Sequence, residues 1–177
     1  MNDKLYEQIP EFNFIKDNTL KEKTTLVYER ALKEGGWTLD DLKEMPFTLL
    51  IENCSINIIE HIRGVTEVCI KTAETLKNIY GERLKLNFDY LVAGALLHDI
   101  GKLLEYTKKD GKFIKSENGK YLRHPFSGTG LCYACELPVE VIHIVAVHAK
   151  EGDSGSRSPE AVILHHADFM NFEPFKK

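Results

Sequence analysis

The sequence predicts an all-α fold, a single-domain helical bundle of about six or seven helices, on three observations. Apolar residues recur at helical spacing, as in Ile58, Ile59, Ile62, Val65, Cys69, Ala73 and Leu76. Caps and breakers punctuate these runs: Gly35-Gly36 and Gly81 as stops, Pro125 and Pro159 just inside prospective starts. The chain shows no clear strand alternation, internal repeat or low-complexity tract.

The totals agree. A chain of 177 residues suits one domain of ordinary size, with 43% hydrophobic and 28% charged residues. A net charge of −4 gives no general affinity for nucleic acid or anionic membrane. No apolar run approaches the roughly 20 residues of a membrane helix. The opening MNDKLYEQIPEFNF lacks a basic start followed by an apolar core, so a cytoplasmic protein is expected. Cys132-Tyr133-Ala134-Cys135 is a C-x-x-C, but Cys54 and Cys69 form no second such pair. On a helix its two thiols are i,i+3 neighbours that pack as small hydrophobes.

In chain order, residues 1–18 read as an arm lying on the domain. Thr19 to Glu34 is a helix marked by Leu20, Val27, Ala31 and Leu32. Thr38 with Asp41 three residues on suggests a capped short helix ending near Pro46. A long helix spans about Ser55 to Tyr80, with His61 beside its buried stripe. Asn87 or Asp89 caps a helix running through Leu91 and His98 to about Glu105. Residues 107–123 are polar and lysine-rich and read as a surface loop with a short hairpin around Gly111. His124-Pro125-Phe126 opens a further helix that ends before Pro138. Val139 to about Val147 is the next, with His148 at its end. Residues 152–157 are a flexible loop, and Ser158-Pro159-Glu160 begins the last helix, which carries His165, His166 and Asp168.

The apolar run Leu91 to Leu97 ends in His98-Asp99. An imidazole and a carboxylate in such surroundings need partners, because an unpaired buried charge is expensive. A metal ion, a salt bridge or a backbone hydrogen bond each answers that need. Further along come His124, His148 and Asp168, with His61 upstream, each on a different helix or its end. Helix bundles build metal sites from inward-projecting side chains in this way.

These residues resemble the HD-domain superfamily of metal-dependent phosphohydrolases. The H…HD…H…H…D pattern is complete, and Leu96-Leu97-His98-Asp99-Ile100-Gly101-Lys102 is close to the superfamily signature. His124-Pro125-Phe126-Ser127-Gly128 and Ala167-Asp168 are similar to family segments. The resemblance covers roughly residues 55–171, leaving residues 1–54 as an N-terminal helical extension and residues 55–177 as an HD metal-binding domain. It implies that His61, His98, Asp99 and Asp168 hold one metal and that His124 and His148 hold a second, with Asp99 bridging. Such imidazole and carboxylate ligands suit two divalent transition-metal ions (Fe, Mn, Co, Ni or Zn) better than Mg or Ca.

The resemblance also implies an activity: hydrolysis of a phosphomonoester or phosphodiester of a nucleotide or small metabolite by a bridging hydroxide. Asp99 is then catalytic, Lys102 catalytic and substrate-binding, and Arg123 substrate-binding. Lys150 and Arg157 flank the ligands and could add phosphate contacts. His165 is placed to orient Asp168, whereas His143 and His166 face elsewhere. Asn57 shares a helix face with His61, where the cyclic-dinucleotide branch carries a glutamate ligand. That asparagine and the absence of a Gly-Tyr-Pro segment argue against that branch and against a third metal. A mixed-valence diiron oxygenase cleaving a C–C or C–P bond shares this ligand set and is the alternative, and a non-catalytic metal-stabilised module is a third reading. The expected partner is a small phosphorylated molecule, with no nucleic acid and no membrane, and residues 1–54 leave room for a homodimer.

Overall fold

The computed structural model describes residues 2–176, and its regular elements are almost wholly helical. They are α1 (Asn2–Gln8), α2 (Asn18–Gly35), α3 (Ile58–Tyr80), α4 (Phe88–Leu97), α5 (Lys102–Glu105), α6 (Glu117–Tyr121), α7 (His124–Ala134), α8 (Val139–Val147) and α9 (Pro159–Met170). A single antiparallel hairpin, β1 (Tyr106–Lys109) with β2 (Lys112–Lys115), turns at Gly111 with Tyr106 opposite Lys115. No helix among the described residues is long and apolar enough to cross a membrane.

Helix α4 is the axis. Leu91 to Leu97 is buried on every side, so it has no polar face, and α2, α3, α8 and α9 pack around it. At Gly94 a Cβ would stand 2.5 Å from Ile144 Cγ2, so glycine is what allows α8 to lie this close. The core follows from the apolar stripes of the surrounding helices, including Ile58, Ile62 and Ile70 of α3 and Val141 and Val145 of α8.

Several local expectations change. Of the expected arm, residues 2–18 do more than lie on the surface: they form α1 and a 3-10 turn (Pro10–Phe14). Leu5, Ile9, Phe12 and Ile15 from them enter the same core as α4, because each can bury a large apolar side chain. Thr38 and Asp41 do bond reciprocally, yet only a 3-10 turn (Asp41–Lys43) follows, since Pro46 cuts the run short. The expected Leu91–Glu105 helix is broken into α4 and α5 by the turn at 98–101. Within 107–123 the hairpin is present, but Glu117–Tyr121 is helical, capped by the Ser116 hydroxyl, which accepts from Gly119 N. Helix α3 starts at Ile58, with Asn57 and Glu60 forming a reciprocal cap. Asn57 is therefore occupied by the helix end.

Candidate metal centre

Five helix ends deliver the six predicted ligands to one place. His61 lies in the first turn of α3, on its buried face, rather than beside it. His98 is the C-cap of α4 and Asp99 follows it in the turn. His124 opens α7, His148 is the C-cap of α8, and Asp168 lies in α9. After α4 the chain stays right-handed but tightens into a turn in which Ile100 N donates to Leu97 O at 3.0 Å and Lys102 N to Asp99 O at 2.9 Å. Gly101 completes the turn: a Cβ there would overlap the carbonyl oxygen of His124 and approach Gly128 N.

The four imidazoles and Asp99 are buried, and Asp168 is mostly so. Asp99 is the common member of two groups. Its Oδ2 lies 3.3 Å from His61 Nε2 and 3.4 Å from His98 Nε2, while its Oδ1 lies 3.3 Å from His124 Nε2. Asp168 Oδ1 adds to the first group at 3.1 Å from His61 Nε2. His148 Nε2 adds to the second at 3.3 Å from His124 Nε2. His61, His98 and Asp99 on one side, and Asp99, His124 and His148 on the other, are each spaced to hold a metal ion.

Backbone and carboxylate acceptors fix the rings. His98 Nδ1 donates to Ala95 O and His148 Nδ1 to Val145 O, both at 2.7 Å and both three residues back at a helix end. His124 Nδ1 donates to Glu105 Oε2 at 3.1 Å, and its backbone N–H donates to the same oxygen at 2.6 Å. In all three the Nε2 lone pair is left facing inward. His61 differs, since its Nδ1 is buried without a partner, and the Phe47 ring stacks on it at 4.3 Å. His61 Nε2 faces His98 Nε2 at 3.4 Å, and His124 faces His148 at 3.3 Å. Two lone pairs at such separations repel, and a cation between them converts the repulsion into ligation. The donor set fits divalent transition metals.

The electrostatics carry the same signature. Burial alone would raise the Asp99 carboxyl, but Lys102 and the neighbouring imidazoles hold it well below the usual range. Asp168 is also depressed, by His61 and His98 against the opposing effect of burial. Burial and the nearby His98 and His124 push His148 down to about 3, and burial lowers His124. His98 goes up: burial opposes its charge, yet Asp99 and Asp168 outweigh it.

Four of the six predicted ligands, His61, Asp99, His124 and Asp168, line a cavity of about 350 Å³, whereas His98 and His148 do not border it. Lys102 borders it, but the structure directs its buried ammonium to Asp99 Oδ2 and the Phe47 carbonyl, where a phosphate contact was expected. Arg123 also borders it, with Nε donating to Glu151 Oε1 at 3.0 Å and Glu105 nearby. Lys150 lines the cavity. Arg157 does not: it caps the end of α8 through Val147 O and Ala149 O, which corrects its proposed phosphate role. His165 is likewise corrected, because its Nδ1 donates to the His148 carbonyl at 2.6 Å rather than to Asp168. His143 accepts from Ser158 N, and His166 is exposed. Cys132 and Cys135 are free and buried.

Sequence reasoning missed Glu105, Phe47, Tyr106, Glu151, Phe169 and Phe172, all of which line the cavity. Glu105 carried one readable signal, an acidic residue closing an otherwise apolar Leu103-Leu104 stretch just after His98-Asp99. The others follow no spacing rule, because tertiary contacts alone bring them in.

The family model described as HD domain matches residues 58–170. A dihydroneopterin 2',3'-cyclic phosphate phosphodiesterase of Methanocaldococcus jannaschii is 39% identical over 114 residues, covering 63% of this chain and 44% of that relative. The chain thus spans less than half the length of the curated relative it matches. No solved structure matches it.

Proposed function

This chain belongs to the HD-domain family, and on that premise we propose that it is a metal-dependent phosphohydrolase acting on a small phosphoester. The observation that carries the reading is the sharing of Asp99: its two carboxylate oxygens face two separate histidine groups. One cation would be held by His61, His98, Asp99 and Asp168, and a second by Asp99, His124 and His148. Two divalent cations in such a site acidify water and neutralise phosphate oxygens.

The chain's own residues prepare this chemistry. Lys102 orients Asp99 and offsets its charge from inside the core, so it acts as a positioning residue. Glu105 fixes the His124 ring, and the Ala95 and Val145 carbonyls fix His98 and His148. The cavity admits a small molecule and joins apolar side chains to charged ones, as ligand pockets commonly do. The relative is named for a cyclic phosphate phosphodiesterase, which makes a cyclic phosphodiester of a heteroaromatic alcohol the first substrate class to try.

The test is metal analysis of protein purified without chelator, then a phosphoester screen with and without oxygen. Bound metal and oxygen-independent release of a phosphate or phosphomonoester support the reading. Absence of metal together with no effect of Asp99→Ala on uptake or turnover overturns it, and turnover only with oxygen favours the diiron oxygenase.

A further inference from the structure

Two chemically different sets of residues line the cavity, and they meet where Tyr106 reaches the Leu49 backbone. One is gathered around Phe47, whose ring meets Phe172 edge-on at 6.1 Å, with Leu49, Leu50 and Phe169 close in the chain. The other is built from the Glu105-Tyr106 end of α5 and β1, Arg123 at the start of α7, and Lys150-Glu151 after α8. Lys115 belongs to this second set, because it pairs with Tyr106 across the hairpin.

Charge in the second set is unbalanced. Arg123 is matched, by Glu151 at 3.0 Å and Glu105 at 3.8 Å. Lys115 and Lys150 line the same cavity and enter no ion pair among the described residues. Both are exposed, so their ammonium groups stay hydrated and free to turn toward a ligand. The chain as a whole carries net charge −4, so uncompensated cations from two separate elements meet here against the general trend. On the phosphoester reading, the scissile phosphate would sit over Asp99. Lys176, which also lines the cavity and enters no ion pair among the described residues, lies instead over the Phe172 ring at 6.0 Å.

We infer that the substrate carries a second anionic group besides the scissile phosphate, and that Lys115 and Lys150 receive it. This rests on the phosphoester reading of the cavity. It narrows the substrate class to a nucleotide-like molecule with two separated anionic groups. Its body lies along Phe47 and Phe172. Lysines suit this role as mobile point charges, which accept a phosphate or carboxylate without a fixed fork geometry.

The test is binding to the metal-loaded full chain, read on rapid mixing before turnover depletes the probe. Adenosine 5′-monophosphate and adenosine 3′,5′-bisphosphate are compared on the parent, on K115Q/K150Q and on K115E/K150E. The bisphosphate is expected to bind the parent about tenfold tighter, with a preference that shrinks as salt is raised. The ratio falls to about threefold or less in K115Q/K150Q and inverts in K115E/K150E. Equal affinity of the two probes for the parent, or a ratio unchanged in both variants, overturns the inference. A phosphoester screen of the metal-loaded parent, run alongside, reports separately on hydrolysis. Turnover without a bisphosphate preference leaves hydrolysis standing and removes the second anion.

Discussion

Glu105 Oε2 accepts both protons that His124 can offer on its outer side, the backbone N–H at 2.6 Å and Nδ1–H at 3.1 Å. One buried oxygen thereby sets the start of α7 and the tautomer of a metal-facing ring. Its hydrogen bonds to His124 hold the Glu105 carboxyl below its ordinary range even though burial opposes this. Glu105→Gln would remove the charge and place an N–H donor among donors. Affinity of the His124–His148 side for metal should fall about 10–100-fold, while the His61–Asp168 side changes far less. Competition with a metal indicator, read as two classes of site, checks it. Equal weakening of both classes would contradict the assignment.

Gly101 lies where a Cβ would overlap the His124 carbonyl. Gly101→Ala must therefore push α7 away from the 98–101 turn. A loss of about 1–3 kcal/mol is expected for the chelated protein, as for other overpacked sites. Gly130 provides the control: it is in α7 and a Cβ there meets nothing within 4 Å. Gly130→Ala should be neutral or stabilising by up to about 1 kcal/mol. Urea midpoints of both variants decide the matter, and equal effects would show that the close approach is unimportant.

These two glycines also mark what the sequence does and does not disclose. The apolar Leu91–Leu97 run, the Asn57 and Ser158 caps and the prolines opening α7 and α9 are local signals, and the helices follow from them. The break between α4 and α5 is only partly local. Gly101 weakens the helix there, and the close approach of α7, where a Cβ would overlap the His124 carbonyl, requires it. The six proposed ligands are legible because their order along the chain resembles a family pattern. Residues that touch them through folding alone, such as Glu105 and Phe47, leave almost no trace in spacing. Lys102 shows the limit most sharply. Helical spacing places it beside Asp99, but only the structure reveals that it is buried and holds the Phe47 carbonyl as well.

The Lys102–Asp99 pair predicts a non-additive stability change. Both groups are buried, so Asp99→Asn leaves an ammonium without its anion in the core. The chelated protein should lose about 3–5 kcal/mol, and metal content should fall from two ions to none, since both sites share Asp99. Lys102→Met alone should also destabilise. The double variant Asp99→Asn with Lys102→Met should recover part of the sum, because neither charge is then left alone. Denaturation of all four chains completes the cycle. Strict additivity would mean that the pair has no mutual dependence.

The depressed groups also fix the sign of the acid response. In the folded, chelated chain His148 titrates at about 3, against 6.5 for an ordinary histidine, and His124 is lowered too. Between those values the unfolded chain binds protons that the folded chain refuses, so stability must fall as pH falls. Asp99, Asp168 and Glu105 are depressed as well, and they add losses further into acid, below the usual carboxylate values. His98 has the opposite sign, because its raised pKa contributes stability at low pH. That contribution is complete below 6.5, the ordinary histidine value, and offsets none of the slope beneath it. Urea midpoints of chelated protein should therefore decline steadily from about pH 6.5 toward about pH 4. His148→Gln should flatten the upper part of the decline, because it removes the most strongly lowered imidazole. A parent midpoint that stays level across that range would show that His148 and His124 do not remain neutral in the folded chain.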